Sequence, residues 1–335
     1  MKFVTFLNNE NKQKLGVLYN NNVIDLNKSG KLLNYNFPED IIYFLNNSEK
    51  LLEQAKEFLK KIDEEMFEKE YKLISPIPKP TSCRDGYAFR QHVMTARRNR
   101  GLEMIPEFDQ FPVFYFTNHN SIFGEGEIIL EEDHFKNLDF ELEYAAIIGK
   151  KGKNIQYDKA DEYIFGYTIM NDLSARVLQM EEMKLNLGPA KGKDFATILG
   201  PYIVTKDELE QYKINTEFGL KYDLEMKAYH NGKQISYGNT KDMNWTFAEI
   251  IERVSYGVEI YPGDVIGSGT VGTGCYLELN GTWAIEAKEK GESFTPIWLK
   301  ENDVIELEIT ALGKLKNTFV KNPNTYSLLS RKKNV

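Results

Sequence analysis

The sequence predicts an α+β fold that is mostly β, and three observations predict it. Apolar runs of strand length, bounded by Asn-, Gly- and Lys-rich turns, recur along the chain. Long amphipathic helices are few, which disfavours a doubly wound parallel sheet. The one glycine-rich segment that spells a dinucleotide fingerprint, Gly267-Ser268-Gly269-Thr270-Val271-Gly272, leads into Tyr276-Leu277-Glu278-Leu279. The alternation there reads as a strand where the fingerprint needs a helix, so nicotinamide and flavin binding are not expected. The glycines are read instead as letting backbone amides approach an anionic ligand.

Taken in order, Lys2–Phe6, Leu15–Tyr19 and Asn22–Leu26 read as short strands, followed by two helices. The second helix, near Lys50 to Phe67, places Leu51, Leu52, Ala55, Phe58 and Leu59 on one face and a solvated Glu–Lys face opposite. Ser75-Pro76-Ile77-Pro78-Lys79-Pro80 continues neither a helix nor a central strand. It marks the expected boundary between a small β-rich N-terminal domain, 1–74, and a larger domain, 75–335.

Beyond it, Arg84 to His92 opens a predicted helix that runs to about Arg100. On that helix Asp85 and His92, seven apart, share a face, Asp85 serving as an N-cap or as a ligand. Phe111 to Phe116 is an aromatic strand from which Tyr115 offers a hydroxyl. Ile164 to Met170 is a buried strand that ends in Asn171 to Gln179, where Asp172, Arg176 and Gln179 share one side of a helical turn. A carboxylate, a guanidinium and an amide together suit a metal and a substrate carboxylate, or else make a plain solvated ion pair. Leu187 to Thr197 is a surface turn or a loop that approaches a ligand, with Lys193 and Thr197 as donors. The strands Pro201–Val204, Leu220–Tyr229, Tyr276–Leu279 and Val304–Ile309 complete the pattern.

One stretch breaks a rule of strand design. In Asp139-Phe140-Glu141-Leu142-Glu143-Tyr144, alternation aims Asp139, Glu141 and Glu143 to one side, and the Ala145-Ala146-Ile147-Ile148 run that follows takes the strand into a core. Three such carboxylates repel one another by about 6 kcal/mol at an effective dielectric near 20. A solvated acidic face tolerates the arrangement; a buried one needs a cation. Glu141 and Glu143 are accordingly read as ligands of a hard divalent metal, Mg²⁺ or Ca²⁺ with Mn²⁺ as the further candidate.

Composition narrows the class of protein. The net charge of -8 argues against a nucleic-acid surface, and Arg97-Arg98-Asn99-Arg100 is read as a solvated or substrate-facing helix end. Two cysteines, Cys83 and Cys275, are too few for a disulfide scaffold, so a reducing cytoplasm is expected. Met1 to Glu10 lacks the pattern of a secretory signal, and no apolar run reaches membrane-spanning length, so no membrane partner is expected.

Together these segments resemble the fumarylacetoacetate hydrolase family, from about Pro80 to Val320. "DGYAFRQH", "DFELEYAAIIGK", "IMNDLSARVLQ", "GPAKGKDFAT" and "GSGTVGTGCYLEL" match the family's motifs in the same order. The resemblance implies a mixed β-roll or sandwich catalytic domain, a small N-terminal domain and a homodimer. It implies that Asp85, Glu141, Glu143 and Asp172 bind the metal, with Lys193 and Thr197 beside it. His92 would be the general base and Glu278 its partner, while Tyr87, Tyr115, Arg176, Gln179 and Thr270 would contact substrate. The implied activity is hydrolytic C–C cleavage of a β-diketone acid resembling fumarylacetoacetate or an acylpyruvate. The alternative is decarboxylation of a β-keto acid such as oxaloacetate, or isomerisation of a 2-oxo acid, on the same scaffold.

Overall fold

Leu142-Glu143-Tyr144-Ala145-Ala146-Ile147-Ile148 is apolar on both faces except at Glu143, and a strand of that kind belongs in the middle of a covered sheet. The computed structural model describes residues 1–333 and places it there. In chain order the strands that matter begin with β1 (Lys2–Leu7), β2 (Gln13–Tyr19) and β3 (Asn22–Asp25), followed by helix α1 (Ser48–Leu59). Next come β4 (Ser82–Gly86), α2 (Arg90–Arg98), β5 (Phe114–Phe116), β6 (Gly126–Leu130), β7 (Leu142–Ile148) and β8 (Ile164–Asp172). Helix α3 (Arg176–Met183) leads to β9 (Thr197–Thr205), β10 (Glu225–His230), β11 (Lys233–Asn239) and α4 (Phe247–Ser255). The chain closes with β12 (Asp264–Gly267), α5 (Tyr276–Glu289), β13 (Val304–Ile309) and β14 (Gly313–Lys321).

The large sheet runs β3-β2-β1-β9-β8-β7-β12-β4-β5, and a second sheet of five strands runs β11-β10-β13-β14-β6. Alternation along β7 divides the core in two. Leu142, Tyr144, Ala146 and Ile148 pack on one side with Met226, Leu307 and Phe319 of the second sheet. Ala145 and Ile147 face the other way, into a cluster with Phe3, Phe44 and Phe58 of the N-terminal segment. The sheet is thus covered on both faces, by strands on one and by N-terminal helices on the other, so the α+β class that the sequence predicts holds, and the two packed sheets match the sandwich that the resemblance implies.

Register places the functional end. Asp85 on β4 pairs with Gly267 on β12, Gly267 with Ala145 on β7, and Asp172 on β8 with Thr197 on β9. β4 and β12 are parallel, and β7, β8 and β9 alternate in direction. The last residues of β4, β8 and β12 therefore meet the first residues of β7 and β9 along one edge.

Several sequence expectations change. Tyr276–Leu279 is not a strand but the first turn of α5. Asp85 ends a strand, and the helix carrying His92 starts only at Arg90, so the two do not stack on one helix. Asp172 likewise ends β8 while α3 begins at Arg176, so the carboxylate, guanidinium and amide do not share one helical face. The expected helix to Phe67 stops at Leu59. Among the described residues no helix is long and apolar enough to cross a membrane.

The aromatic contacts of Phe3 with Phe44, 4.8 Å between centroids, and with Phe165, 5.4 Å, join the N-terminal segment to the large sheet. Phe3 is fully buried, so Phe3→Ala is expected to cost about 3–5 kcal/mol in urea unfolding. Tyr43→Ala, at a position 70% exposed, is expected to change it by less than about 0.5 kcal/mol.

Candidate active site

The edge where these strands end gathers Asp85, Glu141, Glu143 and Asp172, with one oxygen of each lying within 4.8 Å of all the others. All four side chains are buried. At that separation two carboxylates repel by about 3.5 kcal/mol at an effective dielectric near 20, so the set holds together only with protons or cations among them. Lys193 supplies one charge, its Nζ donating to Glu141 Oε2 at 2.5 Å and to Asp172 Oδ2 at 2.7 Å. Arg176 supplies a second, its Nη2 donating to Glu141 Oε1 at 2.7 Å. The loop that carries Lys193 is no surface turn at that residue, which is only 4% exposed.

These charges settle the protonation pattern. Burial works to raise Glu141, but Lys193 and Arg176 outweigh it and hold the carboxyl at about 2. Burial and then the charge of Asp172 push Asp85 up to about 7. Burial followed by the charge of Asp85 drives Glu143 well above the carboxylate range, and Asp172 rises for the same first reason against the pull of Lys193. Backbone donors complete the cradle. Gly269 N–H lies 3.1 Å from both Asp85 Oδ1 and Glu143 Oε2, and Thr270 Oγ1 lies 3.4 Å from Glu143 Oε1. A Cβ at Gly267 would sit 2.3 Å from Asp85 Oδ1, so the carboxylate needs a glycine there.

The donors fit a divalent cation. All are oxygens, the charge is in excess, and Asp172 Oδ1 and Thr197 Oγ1 are buried with no hydrogen-bond partner among the described residues. Asp139 stands apart from this set. The chain leaves strand geometry between Asp139 and Leu142, so the alternation that would line up three carboxylates holds only for Glu141 and Glu143.

A second group adjoins the first. His92 Nδ1 is 2.6 Å from Glu278 Oε2, and Glu278 Oε1 accepts Thr273 N–H at 3.0 Å, with both side chains buried. His92 opens with Asp85, Glu141, Arg176 and Lys193 onto one cavity of about 360 Å³. Tyr87, Tyr115, Gln179 and Thr270 line the same cavity. Tyr115 Oη donates to Asp172, and Arg176 Nη1 donates to Gln179 Oε1 at 3.0 Å. A larger groove of about 830 Å³, at Phe111, Trp245, Arg253 and Tyr256, holds none of these groups.

The sequence misreads the helix that carries Glu278 for physical reasons. Its buried positions Tyr276, Leu279 and Asn280 do follow helical spacing, but Gly281 weakens the pattern by about 1 kcal/mol. That glycine is needed because Asn99 packs where a Cβ would be, 2.5 Å from Asn99 Nδ2. The helix start also lacks a capping bond from its own Cys275 and is capped instead by Asp139, whose Oδ1 accepts Tyr276 N–H and whose Oδ2 accepts Leu277 N–H. A helix does therefore follow the glycine-rich segment. Asp139 occupies the amides that pyrophosphate would need, which is the sounder reason against a dinucleotide. Sequence reasoning also missed Asn171, whose Oδ1 accepts Glu141 N–H at 2.9 Å.

Residues 81–320 match the family model for the fumarylacetoacetate (FAA) hydrolase C-terminal domain. The chain belongs to the fumarylacetoacetate hydrolase family. The oxaloacetate tautomerase YisK of Bacillus subtilis is 29% identical over 312 residues, covering 88% of this chain and 92% of that protein. Among solved structures, the fumarylacetoacetate hydrolase of Exiguobacterium antarcticum superposes with a TM-score of 0.68 at 24% identity, covering 96% of this chain and all of that one. Maleylpyruvate hydrolase from Sphingobium sp. SYK-6, in complex with manganese(II) and pyruvate, gives 0.67 at 18% identity over 96% of this chain and all of that one.

Cation binding must displace the protons that burial favours on Asp85 and Glu143 when no cation is bound. Mn²⁺ affinity is therefore expected to strengthen as pH rises towards and past about 7, by about tenfold per pH unit for each proton released. Calorimetry between about pH 6 and about pH 8 checks this. A dissociation constant that ignores pH would reject these carboxylates as the ligand set.

Proposed function

We propose that this protein is a metal-dependent enzyme of 2-oxo acids in which His92, backed by Glu278, moves a proton. Its reaction, on this reading, is the keto–enol interconversion of oxaloacetate-like 2-oxo dicarboxylates. The observation that carries the reading is the His92–Glu278 pair opening onto the cavity that the carboxylate cluster lines. Support for tautomerisation comes from YisK, a relative that this chain matches over most of both lengths.

Asp85, Glu141, Glu143 and Asp172 would hold the ion, with Mg²⁺, Ca²⁺ and Mn²⁺ all compatible with oxygen donors. When bound, it supplies Lewis-acid polarisation of the substrate's carbonyl oxygens. The chain's own groups do the rest. Glu278 accepts the Nδ1–H of His92 and so fixes the tautomer that leaves Nε2 as the proton acceptor. His92 Nε2 takes the proton from the carbon between the two carbonyl groups and returns it to the enol oxygen, so one C–H bond breaks and one O–H bond forms. Arg176, Gln179 and Lys193 present donors to the negative charge that grows on oxygen in between. Tyr87, Tyr115 and Thr270 orient the substrate through their hydroxyls. Lys193 also serves the ligands, by neutralising Glu141 and Asp172, and Thr197 sets beside Asp172 a hydroxyl that has no hydrogen-bond partner among the described residues.

Hydrolytic C–C cleavage is the second reading, and the same pair favours it, since an imidazole held by a buried carboxylate also activates water. It would place this chain with the hydrolases of acylpyruvates and fumarylacetoacetate. On either reading the expected assembly is a homodimer and the expected compartment the cytoplasm.

A panel of oxaloacetate enol, acylpyruvates and fumarylacetoacetate, assayed with and without chelator, separates the two by product: an isomer with no new acid, or two fragments. His92→Ala is expected to lower kcat/KM by about 10²–10⁴-fold, and Glu278→Gln by about tenfold or more. Undiminished turnover in both variants would reject the pair as the proton-transfer group.

A further inference from the structure

Asp139 is fully buried and outside the carboxylate cluster, yet each of its contacts leads to a group that the proposed chemistry uses. Oδ1 accepts Tyr276 N–H at 2.7 Å and Oδ2 accepts Leu277 N–H at 2.9 Å. These are the first two amides of α5, and Glu278 is the next residue. On its other side the carboxylate is gripped by Arg176, with Nε at 2.8 Å and Nη2 at 2.7 Å. Arg176 is itself tied to Glu141 and Gln179. A strand residue thus substitutes, across 137 positions of sequence, for the cap that Cys275 does not supply.

We propose that Asp139, held by Arg176, is a positioning residue: it sets where α5 begins and thereby where Glu278 meets His92. The proposal rests on the reading of His92 and Glu278 as the proton-transfer pair. The arrangement makes the cluster and the pair one unit, because Arg176 bridges Glu141 to the carboxylate that seats the helix of Glu278. Asp139→Asn keeps the shape but places an amide where Arg176 requires an acceptor and removes the charge that favours the helix start. Cys275→Ser offers a local cap in its place.

The test compares wild type, Asp139→Asn, Glu278→Gln, the double variant of these two, and Asp139→Asn with Cys275→Ser, all loaded with Mn²⁺. For Asp139→Asn, kcat is expected to fall about 30-fold, with KM within about threefold and the Mn²⁺ dissociation constant within about twofold. The double variant is expected within about threefold of Glu278→Gln alone, because both changes act through one group. Adding Cys275→Ser is expected to restore about tenfold. Unchanged kcat, losses that multiply, or Mn²⁺ affinity that falls in step with kcat would each overturn the proposal.

A second readout needs no turnover. In protein labelled with ¹⁵N-histidine, the ring nitrogen shifts of His92, which report its contact with Glu278, are expected to move in Asp139→Asn in the same direction as in Glu278→Gln, and unmoved shifts overturn the proposal. Full activity of His92→Ala would instead sink the proton-transfer reading, and the His92 shifts still decide whether Asp139 positions Glu278.

Discussion

Mutual repulsion among four carboxylates shut away from water is the constraint to which the rest of this structure answers. No local preference of the chain would bring Asp85, Glu141, Glu143 and Asp172 together, and three separate pieces of backbone deliver them, Glu141 and Glu143 from the same one. What delivers them is the sheet. Its ladder fixes the register of β4, β12, β7 and β8, and the apolar packing on both faces stabilises that ladder far more than the carboxylates oppose it. The partial neutralisation by Lys193 and Arg176 lowers the cost without cancelling it, so affinity for a doubly charged ion is built into the fold.

The His92–Glu278 pair is supported differently. His92 and Glu278 come from two helices, α2 and α5, that meet at Asn99, whose Nδ2 donates to Glu278 O at 2.8 Å and packs against Gly281. Their approach rests on the bare Cα of Gly281, on that hydrogen bond from Asn99 and on the cap that Asp139 gives α5, not on the register of the large sheet. The cluster is thus set by a rigid element and the pair by a docking contact between helices, and the two share a cavity wall.

Much of this was legible in the sequence, and the exceptions have physical causes. Strand content could be read from apolar runs because β7 and β8 are buried on both faces and carry no ambiguity of period. Glu141 and Glu143 announced themselves because acidic residues at alternate positions next to a fully apolar run need a counter-charge. The start of α5 was illegible because its cap comes from Asp139, far away in the chain, and its third residue is a glutamate buried for a tertiary reason. Asp85 and Asp172 read as helical in the sequence because each lies just before a helix, and a strand with a carboxylate near its end looks like a helix cap. The roles proposed for the individual residues rest on motif order, which spacing alone would leave open.

β9 is shared property. At its start Thr197 pairs with Asp172 beside the cluster, and at its far end Ile203 and Val204 pair with Phe3 and Lys2 of β1. A fragment cut at the proline linker would therefore keep the pairing of Thr197 and Ile198 with Ile122 and Phe123 but strip the far end of β9 and leave the amides and carbonyls there facing solvent as an open template. The first strand thus shields the rest of the sheet from pairing with other chains, although it contributes no side chain to the chemistry.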